Sequence, residues 1–314
     1  MITISVCMIV KNEADKLDTC LKSLVPIADE IIVVDTGSTD STKEIARGYT
    51  DKVSDFVWTG SFSDARNHAF SLASCDYIYS ADADEEIDKD NIDKFVALKQ
   101  VLDNDIDIVQ MYYCNQLQNN TIYSFDRELR PKLYKRLRPF IWEETIHEAV
   151  RLQPRVYDSD IDIIHRPGEG HGARDLAAFE RLIDSGETLS DRLIEIYCKE
   201  LFIAGNKENY LHAKAFVTEL ADREGLTDEQ VARVFTIGAR ICRMDNDIPG
   251  FIKYVTRAAA GNVMSSELCC ELGDYFREVG NDNEAKLWYY NAIHEAEAHL
   301  DVRYQEEIPG KFLG

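Results

Sequence analysis

The sequence predicts an α/β protein whose sheet is built first and whose second half is all helix. Up to about residue 110, short β-branched runs alternate with amphipathic stretches, the pattern of strands joined by crossover helices. From about residue 175 the apolar residues recur at helical spacing, with no convincing strand run among them. Between the halves, "HRPGEGHGARD" (165–175) gathers three glycines and a proline, the mark of a hinge or active-site lid. Two domains are therefore expected, 1–170 and 171–314.

The strands read in order as "ITISVCMIV", "EIIVVDT", "KVSDFVW", "YIYSA" and "DIVQMYY", in a largely parallel sheet. After the first, Asn12 is suited to cap a helix whose apolar positions Ala14, Leu17, Leu21 and Leu24 follow 3-4-3 spacing, with Pro26 beyond its end. After the second, "TGSTDSTKEIA" offers a glycine turn and then Ser41 with Glu44 three residues on, a capping-box signature. Both loops sit at the carboxyl edge of the sheet, where open α/β folds place ligands. In the second half, Leu193, Ile196, Tyr197, Leu201 and Ala204 form one helical stripe, and Ala213, Phe216, Val217 and Leu220 another. Val231, Val234, Gly238 and Ile241 continue the series. In "ELGDYFREVGNDNEAKLWYYNAI", Leu272, Gly273 and Phe276 precede Ala285, Tyr289 and Ala292, which resembles the tetratricopeptide pattern. Helical hairpins with degenerate repeats are expected.

Composition narrows the function. The hydrophobic share of 45% and aromatic share of 10% suit a well-cored globular chain. A net charge of −22 opposes a nucleic-acid partner or an anionic membrane surface. Eight cysteines without a CxxC pair read as free thiols in a reducing compartment. No apolar run approaches the ~20 residues that cross a bilayer, and the start lacks a basic leader and cleavage site. A cytoplasmic address without membrane insertion is the simplest expectation; self-association into a homo-oligomer is left open.

The chemistry centres on "DYIYSADADEEID" (76–88). In extended chain, Asp82 and Asp84 would project to one side and could share one divalent cation such as Mg²⁺ or Mn²⁺, with a diphosphate completing its shell; the plain alternative is a solvated turn. Glu85, Glu86 and Asp88 are expected to lead the next helix, whose positive end favours acids. Two other strand ends deliver Lys11, Asn12 and Glu13, and Asp35, to the same rim. "RELRPKLYKRLR" concentrates Arg127, Arg130, Lys132, Lys135, Arg136 and Arg138: a positively charged edge strand, or a contact for phosphate or acceptor. His165, before the glycine-rich segment, can add a metal or phosphate contact. "WEETIHEAV" brings Trp142, Glu143, Glu144, His147 and Glu148 together, either as a helix start or as a source of a base.

These segments resemble the family 2 glycosyltransferases, metal-dependent enzymes of the GT-A fold, whose sheet is mixed and Rossmann-like. The matches, in order, are "ISVCMIVKNEADKLDTCLKSL", "EIIVVDTGSTDST", "FSDARNHAF", "YIYSADADEE" and "IWEETIHEAV". The resemblance implies a nucleotide-sugar donor, UDP-linked by preference, held by Val10, Asn12, Glu13, Asp35, Arg66, Asp82 and Ala83. It implies Mn²⁺ or Mg²⁺ on Asp84 and Asp82, with His165 added as above. An acid in the last segment is implied as base, here Glu148 with His147 orienting it, although His147 could itself serve. Transfer with inversion to a peptide, protein or glycan acceptor would follow, the helical half contacting the acceptor or a partner. Two other readings rank below it. A sugar nucleotidyltransferase would show a glycine-rich phosphate loop, which "VCMIVKNEAD" lacks. An inactive helical-repeat adaptor would have no need of Asp35, Asp82, Asp84 and Glu148.

Overall fold

The computed structural model describes residues 1–115, 126–138, 142–143, 149–151, 153–166 and 171–313. They form two compact units, one built by the chain up to residue 166 and one from residue 171 onward.

The first unit runs β1 (Ile4–Val10), α1 (Leu17–Leu24), β2 (Glu30–Asp35), α2 (Thr42–Arg47), β3 (Val53–Asp55), α3 (Phe62–Ser71), β4 (Tyr77–Ala81), β5 (Glu85–Glu86), α4 (Lys89–Val101), β6 (Ile108–Cys114), β7 (Arg127–Lys135), β8 (Trp142–Glu143), β9 (Ala149–Val150) and β10 (Val156–His165). Among the described residues, strands β8 and β9 pair only with each other, and the other eight make one sheet in the order β3-β2-β1-β4-β7-β6-β10-β5. The first four are parallel. Leu17, Leu21 and Leu24 of α1 share a core with Ile4, Val6 and Met8, while Cys7, Ile32, Val34 and Ile78 pack with Ala69 and Ala73 on or just after α3. Helices on both faces explain why these strands read as unbroken apolar runs rather than alternating ones.

Beyond β4 the sheet is mixed. Strand β7 runs antiparallel to both β4 and β6, and β10 is parallel to β6. The basic run is thus a central strand and not an edge. Its proline has no N–H for a ladder, and the register steps from Val109↔Leu133 to Gln110↔Pro131, which makes Lys132 the extra residue of a β-bulge. Strand β5 is a second departure. Glu85 and Glu86 pair antiparallel with His165 and Ile164 of β10 instead of opening a helix, and Asp88 alone caps α4, its Oδ1 accepting the Asn91 N–H at 2.9 Å.

Two helix starts also differ from expectation. Helix α1 begins at Leu17 with Lys16 at its N-cap, and Asn12 lies outside it in a left-handed conformation, φ 55°. Ser41 stands at the N-cap of α2 but makes no side-chain cap bond; Asp40 Oδ1 accepts the Thr42 N–H at 3.0 Å instead. An aspartate one residue earlier thus satisfies the first orphan donor of the helix, a different N–H from the Glu44 one that a capping box would engage, so the capping-box spacing is bypassed.

The second unit comprises α5 (His171–Asp184), α6 (Asp191–Ala204), α7 (Lys207–Ala221), α8 (Asp228–Met244), α9 (Ile248–Ala260), α10 (Ser266–Glu278) and α11 (Asp282–His294), then a 3₁₀ turn (Val302–Gln305) and α12 (Glu307–Gly310). The mixed sheet followed by helices is the architecture the sequence led us to expect. Ser190, Asn206, Thr227 and Ser265 cap their helices with side-chain oxygens. The repeat is clearer in space than in the letters. A Cβ on Gly273 would lie 2.6 Å from the Tyr289 ring, and one on Gly238 would lie 2.5 Å from the Tyr254 ring. Glycine-to-tyrosine spacing is the same in the α8–α9 and α10–α11 hairpins, so each first helix admits its partner's ring at the one position without a side chain.

Because that ring is held between helices, Gly273→Ala should destabilise the protein by about 1–3 kcal/mol through overpacking, read by chemical denaturation; Gly273→Ala with Tyr289→Phe should not recover it, since the clash is with ring carbons. A second expectation concerns Glu200 on α6. Burial, helped by Asp175 and opposed by Arg174, pushes its carboxyl from 4.5 up to about 7. A carboxyl that holds its proton more tightly when folded contributes fully below the unfolded pKa, and that contribution is lost as pH rises through the folded pKa. Melting midpoints measured between about pH 5 and 8 should therefore fall less with pH in Glu200→Gln than in the parent.

Candidate functional site

Three adjacent parallel strands end at one rim. Val10 closes β1 opposite Asp35, which closes β2, and both are buried. Asp35 Oδ1 accepts the N–H groups of Gly37 (2.9 Å) and Ser38 (2.8 Å), a turn made possible by Gly37 at φ 106°. Its Oδ2 is buried and has no hydrogen-bond partner among the described residues. A carboxylate oxygen in that state is costly unless a ligand completes it. Asn12 fastens the same turn from the β1 side: its Oδ1 accepts the Thr39 N–H at 2.8 Å and its N–H goes to Ser38 Oγ at 2.9 Å. The neighbouring Glu13 N–H donates to Thr42 Oγ1 at 2.8 Å. Asn12 therefore clips two loops together, which its expected capping role would not do.

At the end of β4 the chain turns instead of staying extended. The Glu85 N–H reaches the Asp82 carbonyl at 3.1 Å, so Ala83 and Asp84 occupy the tip of a tight turn and the period-two argument for a shared ligand does not apply. The two aspartates meet different partners. Asp82 Oδ1 accepts from Arg66 Nη2 on α3 at 3.0 Å, and Arg66 Nη1 donates to Ser80. Asp82 Oδ2 lies 3.8 Å from Lys132 Nζ. Burial acts to raise the Asp82 carboxyl, but Lys132 and then Arg66 outweigh it and hold it down at about 2. Lys132, itself buried, is 2.6 Å from Glu85 Oε1, and Glu85 Oε2 accepts the Asp82 N–H at 3.3 Å. Burial and the charge on Asp82 push the Glu85 carboxyl up to about 7 against the pull of Lys132.

Asp84 faces β10. Its Oδ2 is 3.3 Å from His165 Nε2, with both side chains nearly buried and the imidazole packed on Tyr113 at a centroid distance of 4.8 Å. The β5–β10 pairing that corrects the helix expectation is what delivers His165 here. No three His, Cys, Asp or Glu side chains converge as a complete metal cage among the described residues. Asp84 and His165 nevertheless suit two positions of an open site. Two neighbouring ligands of an octahedral ion at about 2.1 Å stand roughly 3 Å apart, and Mg²⁺-type sites take the remainder from water and phosphate. Of the basic run, Lys132 reaches the acids of this region and Arg130 lies over the Tyr113 ring, 4.4 Å from its centroid. Arg127 pairs with Asp162, Arg130 with Glu128, Arg138 with Asp107, and Lys135 and Arg136 bind the carbonyls of Asn104 and Cys75. Glu148 and His147 lie outside the described residues. Glu85 and the special place of Lys132 were not singled out from sequence; Pro131 inside a strand-like run was the available signal, since proline there implies an edge or a bulge.

A sheet with buried acids at its carboxyl rim, fed by three strand ends, is the ligand-binding layout of an α/β enzyme. Residues 5–153 match the family model described as Glycosyl transferase family 2, and the chain carries a family 2 glycosyltransferase domain. It is 46% identical over 87 residues to a TPR repeat-containing protein of Synechococcus elongatus, covering 28% of this chain and 22% of that protein. It is 34% identical over 130 residues to the SPbeta prophage-derived glycosyltransferase SunS of Bacillus subtilis, covering 40% and 31%. The match thus spans less than a third of either relative. Among solved structures, glucosyl-3-phosphoglycerate synthase of Mycobacterium tuberculosis with Mg²⁺ and UDP aligns over 60% of this chain and 81% of its own, at 17% identity and a TM-score of 0.40.

The clip at Asn12 can be tested by two substitutions. Asn12→Gly keeps the left-handed backbone and loses the bond to Thr39, whereas Asn12→Ala loses the bond and strains the backbone, so denaturation should rank them parent, Gly, Ala, with Ala about 1–3 kcal/mol below the parent.

Proposed function

We propose that the chain is an inverting glycosyltransferase that moves a sugar from a nucleotide-sugar, a UDP-sugar first among those to try, to a peptide, protein or glycan acceptor. The observation that carries this reading is the Oδ2 of Asp35, buried and without a hydrogen-bond partner among the described residues, two strands away from the charged groups around Asp82. Two strand spacings are about 10 Å, which separates a polar pocket for the nucleoside from an ionic one for the diphosphate. Asp35 would accept from the base or ribose, with Val10, Asn12 and Glu13 shaping the wall and Arg66, Asp82 and Ala83 lining the diphosphate end. Asp84 and His165 would hold Mn²⁺ or Mg²⁺, with Asp82 beside them. Such an ion, when bound, neutralises charge that gathers on a departing diphosphate. Arg66 adds a fixed positive charge where that anion develops.

Glu148 is proposed to take the acceptor's proton as the new bond forms, with His147 orienting it. Inversion is taken from the family pattern of direct displacement at the anomeric carbon. The domain boundary near residue 170 and an acceptor-binding role for the helical unit belong to the same proposal; helical hairpins in series offer extended surfaces suited to chain-like acceptors.

The test is to incubate the protein with a panel of UDP- and GDP-sugars plus Mn²⁺ or Mg²⁺ and to measure the nucleoside diphosphate released. Turnover or calorimetric binding with at least one donor is expected, and complete silence across the panel in both measurements rejects the reading. Asp84→Asn, which keeps the shape of a nearly buried side chain, should lower turnover by at least about hundredfold while the melting midpoint stays close to the parent's.

A further inference from the structure

Lys132 is costly to the fold in three ways. It sits in the middle of an eight-stranded sheet rather than at its edge. It occupies a bulge beside a proline, where the ladder of a central strand is interrupted. Its ammonium is buried, with 7% of the side chain exposed, and burying an ammonium costs several kcal/mol unless paired. A hydrophobic residue in an unbulged strand would serve the core better, since buried ion pairs are commonly no more stabilising than apolar substitutes. Bulges of this kind re-aim a side chain at a site.

The re-aimed ammonium meets the donor end of the rim. Its bond to Glu85 Oε1 (2.6 Å) steadies the carboxylate whose other oxygen accepts the Asp82 N–H. The Glu85 N–H closes the same turn on the Asp82 carbonyl. Lys132 thus grips both ends of the turn that presents Asp82 and Asp84. The ammonium also lies within 6 Å of the ring centres of Tyr79 and Tyr113, at 5.8 and 5.7 Å, and Tyr113 in turn packs on His165. Without Lys132, Asp82 and Glu85 would be set against Arg66, which bonds Asp82 at 3.0 Å, a shift toward negative charge where a diphosphate must enter.

Resting on the glycosyltransferase reading, we propose that Lys132 is a positioning residue for the donor: through Glu85 it sets the Asp82–Glu85 turn, and its charge makes that turn acceptable to an anionic diphosphate. This separates two affinities that a purely structural lysine would not separate. A buried positive charge near a metal site opposes a free cation but favours a diphosphate.

The experiment is calorimetry on the full chain, titrating Mn²⁺ alone and then UDP at saturating Mn²⁺, for the parent, Lys132→Met and Lys132→Arg. Lys132→Met should bind UDP at least about tenfold more weakly while binding Mn²⁺ alone as well as or better than the parent. Lys132→Arg, which keeps the charge, should retain UDP affinity within a few fold. Donor KM should rise in Lys132→Met more than kcat falls. Equal weakening of Mn²⁺ and UDP, or UDP binding unchanged in Lys132→Met, overturns the proposal. If Lys132→Met does not fold, Lys132→Met with Glu85→Gln removes the pair without leaving a buried charge; parental UDP affinity in that variant overturns the proposal and loss of it upholds it. Absence of UDP binding by the parent instead removes the glycosyltransferase reading on which the proposal stands.

Discussion

Buried charge at the end of β4 is the constraint on which the site depends. Asp82, Glu85, Lys132 and Arg66 come from a turn, a two-residue strand, a bulge and a helix, and each neutralises another at close range. Remove one member and a buried or half-buried ion is left without its counterpart, which is more destabilising than the intact pair is stabilising. The carboxylates are consequently driven apart in acidity, Asp82 down to about 2 and Glu85 up to about 7. Such divergence is usual where carboxylates are being given different tasks. Asp82 stays ionised at any pH of interest, and Glu85 ties the lysine to the turn.

The same principle of a shared polar atom runs along the rim. Asp35 gives one oxygen to its own loop, while its other oxygen has no partner among the described residues. Asn12 makes the loop after β1 and the loop after β2 a single object. The sheet contributes rigidity: β1, β2 and β4 are buried on both faces, so their ends keep fixed spacing while the loops between them carry the chemistry.

The helical unit solves a different problem by repetition. Gly238 and Gly273 each give up a side chain so that Tyr254 and Tyr289 can lie against the helix backbone. A small residue facing a large one lets two helices approach closely and fixes their register. A charged layer supplements this packing, where Glu271 receives both Arg240 and Arg243 at 2.6 and 2.8 Å, and Glu267 accepts three successive backbone N–H groups from His299, Leu300 and Asp301. Glu271 ties α8 to α10, and Glu267 anchors the chain after α11 to the start of α10.

The sequence by itself determined the strands β1, β2 and β4, the helical second half, and the placing of Asp35 and Asp82 at strand ends. All of these follow from local periodicity, because residues that share a face repeat at 2 or 3.6 along the chain. Tertiary structure alone decided which distant segments meet. Strand β7 entered the middle of the sheet from a stretch that reads as a charged edge, and its bulge aimed Lys132 at Glu85. Strand β10 brought His165 to Asp84 across the antiparallel pairing that also drew Glu85 and Glu86 out of their expected helix. Asn12 exchanged a helix cap for a bond to the next loop. Each of these is a contact between residues far apart in the chain, and hydrogen bonds and ion pairs of that kind leave no period in the letters to be read.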